Sequence, residues 1–348
     1  MIPFLELKEL PIHCNLLWSS REEALKAPKG DIHLAYCQAC SMIYNVAFDP
    51  TQMNYAPGYE TSLHFSQHFQ SYASELAHQL VERYNLVGKT IIEIGCGRGE
   101  FLSLLCERGR NRGIGFDPSY EKGKGERQIA EHVTIIEDVY SERYAKYKAD
   151  FVCCRHVLEH IYEPRNFLAQ LRAMVKDQPE TVLFFEVPNA MYTIKDGGIW
   201  DIIYEHCSYF SAPSLTRLFA EIGLEVLRFY EMFGGQFLCI EASLKGGKMS
   251  DSHVPQGELC RDHQSCLQSS VPLFAERYRK KVNGWRDTLR HLAGKGERIL
   301  VWGAGSKGVT FLNTVQESKS IEYVVDLNPH KQGRYIPGTG QKVIPPES

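Results

Sequence analysis

The sequence has no uninterrupted apolar run long enough to span a bilayer, which needs about 20 residues. It lacks any Lys/Arg-rich block, and its formal charge is -3, so it has no basic face to release counterions from a nucleic-acid backbone. Low-complexity tracts are missing, and MIPFLELKELPIHCN at the start lacks the basic-then-apolar order of a signal peptide. These absences lead to the expectation of a soluble, cytoplasmic protein with a small-molecule partner, no nucleic acid, no membrane and a monomeric or weakly homodimeric state. Cysteine is not scarce. There are 11, an odd and scattered set with several members inside apolar strands, which reads as reduced thiols acting as small hydrophobes. With 348 residues, 43% of them apolar, the chain exceeds one ordinary core and predicts two or three domains.

The pattern divides the chain at three places, into four segments. Residues 1–68 carry short strand-like pieces, many turn residues and CQAC (37–40). Residues 69–245 open on a helix, FQSYASELAHQLVERYNL (69–86), and then alternate strand and helix. The strands are TIIEIG (90–95), GIGFD (113–117), VTIIED (133–138), DFVCCR (150–155) and TVLFFEV (181–187). Near-continuous apolar strands between amphipathic helices predict a parallel sheet covered on both faces. EVLRFYEM (225–232) runs through FGG (233–235) into QFLCIEASL (236–244), and so short a link permits only an antiparallel hairpin. The fold class is therefore α/β, a doubly wound sheet with a terminal antiparallel hairpin. Residues 246–295 read as a polar linker and a long helix from Val271 to Leu292, and residues 296–348 as a partial Rossmann-like α/β unit.

EIGCGRGEF (93–101) follows the first strand and opens a helix, where a glycine loop brings the backbone close to a ligand. Such a loop serves either a dinucleotide or S-adenosylmethionine. Glu93 before the glycines, Asp117 ending the second strand and Asp138 ending the third favour the latter, a ligand with a free ribose, an adenine and a positive charge. Either aspartate alone would be an ordinary turn residue. The cofactor set is Glu93, Gly95, Cys96, Gly97, Gly99, Asp117, Pro118, Asp138, Arg155 and His156.

With CQAC (37–40), YAPGYETS (55–62), the glycine loop, VLEHI (157–161), EHCSYFS (205–211), GQFLCIEA (235–242) and WGAGSKG (302–308), the chain resembles the sugar C-methyltransferases. These are class I S-adenosylmethionine-dependent enzymes with a zinc-binding N-terminal module and a C-terminal Rossmann-like domain. The resemblance implies methylation next to a ketone of a nucleotide-linked deoxysugar or a similar metabolite, and a lid over the site from residues 55–62. It departs in three respects: one CxxC pair instead of two, Ile203 and Tyr204 where the family has Tyr and His, and an early end to the last domain. A zinc site would have to use His13, Cys14, Cys37 and Cys40; the alternative is an empty, relict module. GAGSKG (303–308) with Asp326 would alone suggest NAD, but the resemblance gives that domain to substrate binding, with Lys307 as a phosphate ligand.

IWDIIYEHCSYFS (199–211) follows the fifth strand and so falls on the ligand edge of the sheet. His206 is the expected base, oriented by Glu205, with Tyr59, Tyr204 or Tyr209 donating to an enolate oxygen. The bland reading is a satisfied Glu-His pair anchoring a loop. His156 and His160 are expected to serve backbone contacts and helix packing. O- or N-methylation, or a non-catalytic cofactor-binding scaffold, are the alternatives.

Overall fold

The computed structural model describes residues 1–53, 59, 60, 62–121, 132–244 and 256–348. The chain starts with β1 (Ile2–Pro11), α1 (Arg21–Leu25), β2 (Lys29–Tyr36) and β3 (Ile43–Asn45), paired antiparallel. Next comes α2 (Gln67–Arg83), capped by Ser66, which accepts from the Phe69 N–H. Its apolar stripe of Phe69, Ala73, Leu76, Ala77 and Leu80 is buried.

The central sheet is built from β4 (Thr90–Ile94), α3 (Glu100–Gly109), β5 (Arg112–Phe116), β6 (Val133–Ile136), β7 (Phe151–Arg155), α4 (Pro164–Met174) and β8 (Val182–Pro188). After α5 (Ala190–Ile194) and the two-residue β9 (Ser208–Tyr209) come α6 (Ala212–Glu221), β10 (Leu224–Met232) and β11 (Phe237–Leu244). The order is β10-β11-β8-β7-β4-β5-β6, parallel from β8 to β6, with β11 antiparallel to both of its neighbours. The doubly wound sheet and closing hairpin stand as expected. Alternation hidden within the apolar runs divides two cores: Phe151, Cys153 and Phe184 face α2 and α3, while Val152, Cys154 and Phe185 face α4 and α6.

The last part holds α7 (Gln256–Gly294), β12 (Val301–Trp302), α8 (Ser306–Thr314), β13 (Tyr323–Val325) and β14 (Lys342–Ile344), the strands forming a small parallel sheet. The long helix starts 15 residues ahead of the expected Val271, with Pro272 inside it. Proline reads as a helix boundary in sequence, but His263, Leu267, Val271, Phe274 and Tyr278 form one buried stripe through it. Of the expected polar linker, residues 246–255 lie outside the described residues. No described helix is long and apolar enough to cross a membrane.

A third core joins the two ends of the chain. Ile32 and Leu34 of β2 pack in one cluster with Ile199, Ile202 and Tyr204, with Phe274 and Tyr278 of α7, and with Val309, Leu312, Val324 and Val343. β9 is the fourth strand of the N-terminal sheet, pairing Tyr209 with Ile43 and Ser208 with Tyr44. The segment carrying Glu205 and His206 is thereby fixed between the two sheets.

Candidate active site

The loop after β4 turns through three left-handed glycines, at φ 69° for Gly95, 54° for Gly97 and 77° for Gly99. A Cβ at Gly95 would collide with Val157, whereas one at Gly97 would meet nothing within 4 Å. The open side of Gly97 is the space a ligand can enter. Asp117, at the end of β5, accepts from the Gly97 N–H (2.8 Å) and from the backbone and hydroxyl of Ser119 (2.9 and 2.6 Å). It is buried beside the loop, with exposed Pro118 following it. Glu93 is buried with Oε2 unpartnered among the described residues, and desolvation pushes its carboxyl up to about 8. A buried carboxyl with a spare oxygen suits a cationic ligand group.

The rest of the cofactor set is less available. Cys96 points inward against Gly115, with its thiol pushed up by burial. Asp138 is turned to Tyr144 and Arg143 and accepts from the Val139 N–H (2.7 Å). Arg155 pairs with Glu186 (2.8 Å) and lies 3.9 Å over the Phe101 ring. His156, at φ 54°, pairs with Glu186 at 2.7 Å. Against the cost of burial, Glu186 and then Glu159 hold it up at about 9. Tyr72 donates to the other oxygen of Glu186. These groups form a buried charge network under the strand ends.

The second half of the site is built from residues 156–160 and 203–209. His206 is buried, and desolvation followed by the neighbouring His160 lowers it to about 4. Its ring lies 4.9 Å from that of His160 and 5.8 Å from that of Tyr209, with no hydrogen bond to described residues. The Glu205 carboxylate faces away from it. Oε1 receives the Tyr59 hydroxyl and stands 3.7 Å from His13 Nδ1, and Oε2 accepts from the Cys14 N–H at 3.0 Å. Against burial, His13, His160 and Tyr59 keep that carboxyl below its usual range.

The tyrosines separate into different tasks. The Tyr204 oxygen accepts from the Asp49 N–H at 3.0 Å, and its ring covers Gly30, so it packs the N-terminal sheet. The Tyr209 hydroxyl donates to the Ile203 carbonyl at 3.2 Å and braces its own loop. Tyr59 reaches Glu205; the other lid positions 55–58 and 61 lie outside the described residues.

His13 and Cys14 do not join Cys37 and Cys40. The first pair sits at Glu205, where the Cys14 thiol also meets Thr310 of α8. The second pair occupies the β2–β3 turn, where Arg217 donates to the Ala39 carbonyl. Among the described residues, the group with donor atoms close enough for a metal is Glu159, His160 and His206. Sequence reasoning overlooked Glu159, Glu186 and Tyr72. The first carried a signal, an acid directly before His160 at a strand end.

Residues 65–228 match the family described as a methyltransferase domain, and residues 262–348 match the C-methyltransferase C-terminal domain. C-methyltransferase NovU of Streptomyces niveus is 26% identical over 289 residues, 78% of this chain and 66% of that protein. A ubiquinone biosynthesis O-methyltransferase of Actinobacillus pleuropneumoniae is 31% identical over 114 residues, 30% of this chain and 47% of that one. The magnesium protoporphyrin IX methyltransferase of Synechocystis aligns with TM-score 0.39 and 19% identity, over 51% of this chain and 84% of that one. The chain thus spans just under two thirds of the first relative's length and about half of the second's.

Proposed function

We propose that this chain, whose residues 65–228 match a methyltransferase domain and whose residues 262–348 match a C-methyltransferase C-terminal domain, is an S-adenosylmethionine-dependent enzyme that methylates a carbon next to a ketone. A nucleotide-linked keto-deoxysugar is the substrate class we favour. S-adenosylmethionine supplies an electrophilic methyl that needs no activation. The glycine loop and Asp117 hold the cofactor's ribose side, Glu93 answers its cationic amino group, and the remaining work is to remove a C–H proton.

One observation carries this reading: His206 is buried, lacks hydrogen bonds to described residues and is held down at about 4. Its ring is therefore unprotonated at neutral pH, with neither nitrogen taken by a described residue. Tyr59 is our candidate donor to the enolate oxygen, for which its hydroxyl would have to turn away from the Glu205 carboxylate that it donates to in this structure. A phosphate on the substrate would have to draw Lys307, at the start of α8, from Asp201 at 3.2 Å and from Gln236 at 2.6 Å on the hairpin turn. Similarity to O-methyltransferases of ubiquinone biosynthesis favours a second reading, transfer to oxygen, but it is confined to 114 residues.

The test incubates the protein with S-adenosylhomocysteine and a panel of nucleotide-linked keto-deoxysugars in deuterated water. The wild type should exchange the substrate C–H, and His206→Asn should not. With S-adenosylmethionine, the variant should lose roughly 10² to 10⁴ in turnover at unchanged cofactor affinity. Turnover on a hydroxyl acceptor, with no exchange in either protein, would establish the oxygen reading.

A further inference from the structure

A base needs an orienting partner, and Glu205, its neighbour in sequence, has no oxygen to spare. Tyr59, His13 and the Cys14 N–H take both oxygens of that carboxylate. Glu159 is placed differently. It lies in the short 3₁₀ turn Leu158–His160 after β7 and is 1% exposed. One oxygen stands 3.8 Å from His156 Nδ1, and the other, Oε2, has no hydrogen-bond partner among the described residues. Its donor atom lies within 4.8 Å of those of His160 and His206.

Two unmet needs therefore share one buried pocket. A neutral imidazole carries one N–H donor and one acceptor nitrogen, and the His206 ring has neither satisfied by described residues. A buried carboxylate oxygen without a donor is costly. Resting on the reading of His206 as the base, we propose that Glu159, and not Glu205, is its positioning carboxylate. A modest rotation of the His206 ring brings its N–H onto Glu159 Oε2 and turns the other nitrogen toward the substrate carbon. As that nitrogen takes the proton, the imidazolium forms beside a carboxylate. The turn is anchored for this task. The Cys207 thiol contacts the Glu159 carbonyl at 3.3 Å, and His160 Nδ1 lies 3.0 Å from the Glu205 carbonyl. Glu205 instead ties the catalytic segment to the N-terminal sheet and Tyr59.

Glu159, His160 and His206 also match a divalent transition ion by donor type. An ion there would take the His206 nitrogen that faces Glu159 and leave the ring proton on the other, which could then accept none, so the two roles exclude each other.

The experiment uses the full chain with isotope-labelled histidine, metal-free buffer and bound S-adenosylhomocysteine, and reads the imidazole nitrogen resonances of His206, assigned by their loss in His206→Asn. Glu159→Gln should shift the His206 tautomer balance, and Glu205→Gln should leave it in place. Glu159→Gln should also lower kcat on the keto-deoxysugar panel by about tenfold or more at unchanged S-adenosylhomocysteine affinity, and should cost nothing further when combined with His206→Asn. A tautomer that responds to Glu205→Gln and ignores Glu159→Gln overturns the proposal. So does stoichiometric Zn²⁺ uptake that shifts the His206 resonances and is lost in Glu159→Gln. Turnover that survives His206→Asn, in a protein where Glu159 does set the tautomer, overturns the base reading and leaves the contact standing.

Discussion

Glu93 holds a proton that the cofactor should displace. Desolvation keeps its carboxyl at about 8, well above the unperturbed value, so in the ligand-free protein it is mostly protonated at neutral pH. A cationic amino group beside it favours the ionised form. Near neutral pH, binding of S-adenosylmethionine should release up to about one proton. Calorimetry in buffers of different ionisation enthalpy should show it. The release should fade as pH rises past 8, where the acid is already ionised, and vanish in Glu93→Gln. Asp117→Ala should weaken the same binding at least about tenfold, or about 1.4 kcal/mol, because it removes the clasp on the Gly97 N–H and the acceptor proposed above for the ribose; an unchanged dissociation constant in a folded variant would remove Asp117 from the site. Glycine spacing and strand-end acids made it legible in the sequence that Asp117 would lie beside the glycine loop, as it does. The tasks of Tyr204, Tyr209 and Glu205 were not legible, because a side chain's direction within an irregular segment follows from tertiary contacts and not from periodicity.

At the scale of elements, the strands of the central sheet and the hairpin were readable from their apolar runs and the length of one link. β9 was hidden: two residues show no period, and its partner lies more than 160 positions earlier in the chain. Pro272 concealed the first half of α7. The seam between the N-terminal sheet and the catalytic segment can be tested at Gly30. This β2 residue has no Cβ because the Tyr204 ring occupies that space, and the ring is further packed 5.5 Å from Phe48. Gly30→Ala should displace the ring and cost about 1–3 kcal/mol in denaturant unfolding. Turnover should fall further than cofactor affinity, since Tyr204 adjoins Glu205 while the glycine loop lies on another sheet. Equal losses in both would place the damage elsewhere.

In the whole molecule, sequence boundaries and physical bodies differ. Residues 1–68 and 296–348 lie at opposite ends of the chain yet share one core. Trp18 and Tyr335 exchange backbone hydrogen bonds of 3.0 and 2.9 Å, the Gly338 N–H donates to Ala24 at 2.7 Å, and Arg334 reaches Ser19 at 2.7 Å. The central sheet has two cores of its own. Deleting residues 296–348 should therefore strip hydrogen-exchange protection from β1, β2 and β3 while β4, β7 and β8 keep theirs. Uniform loss across both sheets would show that the cores are not separable. This joining of the ends also sets a schedule for the growing chain. β1 leaves the ribosome before the central sheet, yet its packing partners in α8 leave after it, whereas the central sheet has all its strands once Leu244 has emerged. A cell translating this message therefore holds a formed central sheet beside N-terminal strands still waiting for their core. Their exposed edges during that interval are where a chaperone would be needed and where slow translation of residues 296–348 would do harm.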